Sequence, residues 1–145
     1  MKKTEENCYC RTPYYYETDR MGIVHHSNYI RWMEEARLFY MKTNGLSYSE
    51  METHGIIMPV VSVSCQYIHS VRFDEPVEIY VKMTAFDGIR ASYAYEIYLK
   101  TENRLAAKGE SSHCFLDDQS RFPVNLKKKY PEFFEKGKAL MEAQQ

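Results

Sequence analysis

The sequence predicts an α+β domain in which an antiparallel sheet wraps a single long helix. Three observations predict it. Apolar residues recur at helical spacing from Asn28 onward, the period drops to two after Ile57, and short turn signals separate the period-two runs. A sheet with one face to bury and a helix with one apolar stripe to bury satisfy each other most simply when the sheet curls around the helix. The 145 residues suit one domain, 1–145, with one core.

The elements follow in order. Residues 9–18, YCRTPYYYET, are aromatic and β-prone, and Pro13 suits them to an edge strand. A loop covers 19–27. Tyr29, Trp32, Met33, Ala36 and Tyr40 then fall on one helical face, with Arg31, Glu34, Glu35 and Lys42 on others. Ser27 or Asn28 can cap this helix, and Gly45 follows its end. A short second helix is expected at about 47–54, with Ser47 and Glu50 as a capping box and Gly55 as its stop.

Period two begins after Ile57. Val61, Val63, Cys65 and Tyr67 alternate with polar residues; so do Val77, Ile79, Val81 and Met83, and, after the Asp87-Gly88 hairpin signal, Ala91, Tyr93, Tyr95, Ile97 and Leu99. A turn at Thr101–Asn103 leads to a fifth strand at about 104–116, where Gly109, Ser111, Ser112 and His113 replace bulk. Such a strand either faces a helix closely or lines a site, and the ordinary reading is a central strand crossed by tight helix packing. The four strands after the helices are expected to form a meander. The tail from Leu126 reads as a short surface helix with Pro131 near its first turn.

Composition narrows the function classes. Hydrophobic residues are 44% and charged residues 27%, as in an ordinary globular domain. The formal charge of −1 gives no bulk attraction to nucleic acid or anionic membrane. No run approaches the roughly 20 apolar residues of a membrane span, and MKKTEENCYC lacks a secretory apolar core. The cytoplasm is the expected compartment. Cys8, Cys10, Cys65 and Cys114 are expected to be free thiols without a chemical role, since no paired zinc-ligand spacing appears. No metal and no bound cofactor are expected.

The segment ETDRMGIVHHSNYIRWMEEAR, 17–37, carries the chemistry. An Asp in a surface loop ordinarily caps a turn. Here Asp19 precedes a helix start, where backbone N–H groups lack intrahelical partners and the dipole favours negative charge. A carbonyl oxygen seated near the 25–28 backbone would meet an oxyanion hole, with the carboxylate on the other side of the carbonyl: the layout for hydrolysing an acyl compound. No GxSxG, GxGxxG or Walker loop competes.

The stretch YYYETDRMGIVHHSNYIRWMEEAR resembles the signature of the 4-hydroxybenzoyl-CoA thioesterase-like family of hotdog-fold acyl-CoA thioesterases, most densely over 11–40. The resemblance implies a five-stranded antiparallel sheet around a central helix, and hydrolysis of an acyl-CoA to acid and coenzyme A, or of an acyl-ACP in its place; a non-catalytic thioester binder is the third reading. It implies Asp19 as nucleophile or base, His26 as the position whose backbone N–H polarises the carbonyl, and Tyr15 as a shaping residue. Gly22 matches the loop glycine, and Asn28 and Tyr29 the helix opening. His25 is less informative, and Glu34 and Glu35 are expected to be solvated or ion-paired. Coenzyme A phosphates require cations; among Arg72, Arg90, Lys100, Arg121 and Lys127–Lys129, the first choices are Arg90 and Arg121. The resemblance also implies a homo-oligomer, a tetramer built from dimers joined edge to edge, which would cover the open edges of a five-stranded sheet.

Overall fold

The computed structural model describes residues 1–144. Its elements are β1 (Cys8–Arg11), α1 (Ser27–Thr43), α2 (Tyr48–Thr53), β2 (Ile56–Ile57), β3 (Val60–Tyr67), β4 (Val77–Phe86), β5 (Arg90–Leu99), β6 (Arg104–Cys114), β7 (Leu116–Asp117), α3 (Leu126–Lys129) and α4 (Pro131–Ala143). Five strands form one antiparallel sheet in the order β1-β4-β5-β6-β3, and β2 pairs with β7 in a small ribbon. This is the expected hotdog architecture. No helix among the described residues is long and apolar enough to cross a membrane.

Helix α1 buries Tyr29, Trp32, Met33, Ala36, Tyr40 and Met41 against the inward side chains of β4, β5 and β6. Each large apolar side chain so buried contributes about 1.5–3 kcal/mol. The contact with β6 is close because position 109 is glycine. A Cβ there would lie 2.6 Å from both Met33 Cε and the Ser64 carbonyl oxygen. The small residues of the fifth strand thus mark a helix crossing, as the sequence suggested.

Four details depart from the sequence reading. The first strand stops at Arg11, and Tyr15–Glu17 is a 3-10 turn rather than strand. Pro13 offers no N–H to a ladder, and the Tyr14 N–H is drawn instead to the Glu17 carboxylate at 2.8 Å. Only β4, β5 and β6 form a meander; β3 crosses to the far side of β6, with Val63 opposite Ser111 and Tyr67 opposite Ala107. Ser47 makes no capping bond, its hydroxyl pairing with Ser49 instead. The tail forms two helices, of which α4 is partly embedded. A Cβ on Gly137 would fall 2.5 Å from the Phe86 ring, and Phe133 is buried.

The sheet has two edges, and they differ. β1 is short and packs beside α1. β3 is eight residues long and exposed along most of both faces, including Val60, Val61, Val63 and Tyr67.

Candidate active site

Asp19 sits in a tight hairpin. Thr18 bridges to Val24, the Asp19 N–H donates to Ile23 O at 2.8 Å, and the Gly22 N–H donates to Asp19 O at 3.0 Å. This closure requires a left-handed residue at position 22, and Gly22 has φ +78°. The turn aims the Asp19 carboxylate, whose Oδ1 accepts the Met21 N–H at 2.8 Å.

The hairpin is fastened to the start of α1 through the residue two before Asp19. The Glu17 carbonyl accepts the His25 N–H at 2.8 Å and the Asn28 side-chain amide at 2.9 Å. The Glu17 carboxylate is buried and takes Arg11 through both Nη atoms, at 2.6 and 2.9 Å, the Tyr14 N–H at 2.8 Å and the Trp32 indole N–H at 2.9 Å. Burial alone would raise its pKa, but the Arg11, Tyr14 and Trp32 donors together hold it below the ordinary glutamate value. Arg11 also reaches Glu35 at 3.0 Å, and Tyr9 OH donates to the same oxygen. Glu35 is therefore ion-paired, as expected for a helix carboxylate.

The helix start is capped in an unexpected way. His26 is the N-cap, in helical conformation and without a side-chain cap bond. The cap is the ring of His25, whose Nδ1 accepts the Ser27 N–H at 3.2 Å and pairs with Ser27 Oγ at 2.8 Å. The Asn28 N–H goes to His25 O and the Tyr29 N–H to His26 O. Among the described residues the His26 N–H alone in this run has no acceptor.

Asp19, Met21, Ile23, Val24, His26, Tyr29, Tyr67, Ile68, His69 and Ser70 line one open pocket of about 230 Å³. Asp19 and His26, the two residues of the sequence argument, thus line one cavity. Tyr29 forms its floor, 3% exposed, its ring 5.0 Å from Tyr67 and 5.3 Å from Trp32; burial pushes its phenol up to about 12. Seven of the ten lining residues were not among the expected site residues, Tyr67 and His69 among them. Tyr67 donates its hydroxyl to His26 O at 3.0 Å. His69 Nδ1 lies 2.8 Å from Ser70 O, which makes Nδ1 the protonated nitrogen of the neutral ring and leaves Nε2 as its acceptor. Tyr67 stood at an inward position of the alternation, but nothing in the sequence showed that β3 would end beside α1.

Other expected site residues lie elsewhere. Asn28 fastens Glu17 and does not line the pocket. Tyr15 is 76% exposed, its ring edge-on to Phe73 at 5.6 Å, outside the pocket. Arg90 and Arg121 are exposed and lie outside it as well; Arg90 bonds through its backbone to Asp87, and Arg121 has φ +65° in the turn after β7.

Comparison with known proteins identifies the family and the fold. The family model described as Thioesterase-like superfamily matches residues 15–139. YneP of Bacillus subtilis (strain 168), whose name provisionally assigns it as an acyl-CoA thioesterase, is 35% identical over 127 residues, 86% of this chain and 91% of its own. The acyl-CoA thioester hydrolase YbgC of Escherichia coli O6:H1 is 25% identical over 115 residues, 79% and 85% of the two chains. A DHNA-CoA thioesterase structure from Staphylococcus aureus superposes with a TM-score of 0.87 at 31% identity, covering 96% of this chain and 95% of that one.

Proposed function

The chain belongs to the thioesterase-like superfamily, and from that premise we propose that it is an acyl-CoA thioesterase whose working groups are the Asp19 carboxylate and the His26 backbone N–H. The observation that carries the reading is a pocket lined by both Asp19, whose Oδ1 accepts the Met21 N–H, and His26, whose N–H has no acceptor among the described residues.

The chemistry follows from that placement. The thioester carbonyl oxygen takes the His26 N–H, where the helix dipole favours the negative charge that develops on it. Asp19 supplies the electron pair, either to the carbonyl carbon itself or to a proton of the attacking water. The C–S bond breaks, the coenzyme A thiolate leaves and takes up a proton, and the acyl group departs as the acid with one oxygen from water. Tyr67 holds His26 O and Tyr29 closes the floor, so the donor is kept in place on a rigid wall.

Assembly is part of the proposal. β3 presents a long, apolar, unpaired edge, which a solitary chain would leave as a pairing template. A second copy pairing there would bring its own surface beside the pocket, and cations such as Arg90 or Arg121 could reach the coenzyme A phosphates from that copy. Two such dimers make the tetramer. The test is thiol release over a panel of acyl-CoA and acyl-ACP substrates, with light scattering alongside. Coenzyme A release by an oligomer supports the reading. Activity only on acyl-ACP would move the carrier assignment, absence of turnover on both would leave a binder, and a fully active monomer at micromolar concentration would refute the assembly.

A further inference from the structure

We propose that Cys8, Cys10 and Glu78 form a binding site for a zinc-class divalent ion on the outer face of the β1–β4 edge. Two thiol sulfurs and a carboxylate oxygen there lie within 4.8 Å of one another. The sheet itself sets this up. Tyr9 turns toward the core and bonds Glu35, so its neighbours Cys8 and Cys10 share the opposite face of β1. Cys10 lies directly across from Glu78 in the ladder, and Cys8 across from Tyr80. Cys8 Sγ is 3.6 Å from Glu78 Oε2.

The donor set selects the ion. Two thiolates with one carboxylate suit a tetrahedral, borderline-soft cation better than magnesium or calcium, with bonds of about 2.3 Å to sulfur and about 2.0–2.2 Å to oxygen. The fourth position opens on the exposed side of Cys10 and is left for water. Metal binding expels the two thiol protons.

Among the described residues no lysine or arginine pairs with Glu78. The Lys3 ammonium lies 3.6 Å over the Tyr98 ring and 5.2 Å over the Tyr80 ring and donates to Asn103, while Tyr80 OH donates to Glu78 Oε2 at 3.4 Å. A bound dication would hold both sulfurs as thiolates. The site would tie the short edge strand β1 to β4, its one strand partner among the described residues.

The test uses the untagged full chain, reduced, stripped with a chelator and titrated with Cd²⁺. The expected result is a thiolate-to-metal charge-transfer band saturating at one ion per chain, displaced by Zn²⁺, with a rise in Tm on Zn²⁺ addition. The band persists in the Cys65→Ser/Cys114→Ser variant and disappears in Cys8→Ser and in Cys10→Ser. Glu78→Gln weakens binding about tenfold or more, in line with losses at metal-supporting positions. No band in the reduced protein, or a band that survives in Cys8→Ser/Cys10→Ser, overturns the proposal. Thioesterase activity is not the readout, so the outcome is independent of the active-site reading.

Discussion

The two Nη atoms of Arg11 meet the two carboxylate oxygens of Glu17 at 2.6 and 2.9 Å, two residues before Asp19. This pair links β1, the Asp19 hairpin and the helix start, because the Glu17 carbonyl also holds His25 and Asn28. Replacing Glu17 with Gln leaves the Arg11 guanidinium short of its bidentate partner. The expected cost is about 3 kcal/mol by denaturant titration, in line with broken buried ion pairs, together with a fall in kcat. Arg11→Met/Glu17→Gln should recover part of the stability without recovering kcat, since the side-chain tie from β1 to position 17 stays broken while the Glu17 carbonyl contacts to His25 and Asn28 remain. Unchanged kcat in a folded Glu17→Gln enzyme would show that the link has no bearing on the reaction.

Asp19→Asn keeps the shape of the turn, because an amide oxygen can still accept the Met21 N–H. It removes the charge and the basicity. Turnover should fall by roughly 10²–10⁴-fold, the usual worth of a general base, with acyl-CoA binding and Tm close to those of the parent. Steady-state kinetics and calorimetric binding check both halves; more than a tenth of the parental kcat would remove Asp19 from the mechanism.

At His26 the main chain and the side chain separate. His26→Ala retains the N–H, so kcat should fall only modestly. His26→Pro removes it, and the loss should approach the ~10²–10³-fold of a deleted oxyanion donor. The proline is compatible with helix geometry there, since φ at His26 is −55°. Circular dichroism must show both variants folded; an active His26→Pro enzyme would refute the backbone role.

His113 is fully buried, with Nε2 2.8 Å from Ser111 Oγ in a chain that continues through Tyr95 OH to Arg37. Burial first, and the Arg37 charge second, depress its pKa to about 4 from 6.5. The folded state therefore holds the ring neutral, while the unfolded chain takes up a proton below about pH 6.5. Stability from this residue is full above 6.5, declines by about 1.4 kcal/mol per unit as pH falls between the two values, and levels off below about 4. Urea unfolding of the parent and of His113→Gln across pH 4–7 should show a shallower slope in the variant.

Local patterns were legible because they act through single elements. The apolar stripe of α1, the alternation of β4 and β5, the Asp19–Gly22 turn and the helix-start donor all follow from spacing and dihedral preference, and the motif of 17–37 pointed to the family. Glycine at 109 was readable as a close crossing, though not as a contact with Met33. By itself, then, the sequence determined the secondary elements, the α+β class and the position of the acidic turn before a helix.

The tertiary structure decided the rest. Alternation is the same whichever strand lies alongside, so the placement of β3 beyond β6 could not be read, nor could Tyr67 and His69 as pocket walls. Glu17 looked like one more charged residue in a polar motif; only folding brings Arg11 and Trp32 to its carboxylate from either side in sequence. Cys8 and Cys10 were legible as neighbours on one strand, but Glu78 is 68 residues beyond Cys10 and reaches it only through the β1–β4 register. Spacing along a chain reports what one backbone segment can do, whereas a buried charge or a shared ligand site depends on which distant segment is packed against it.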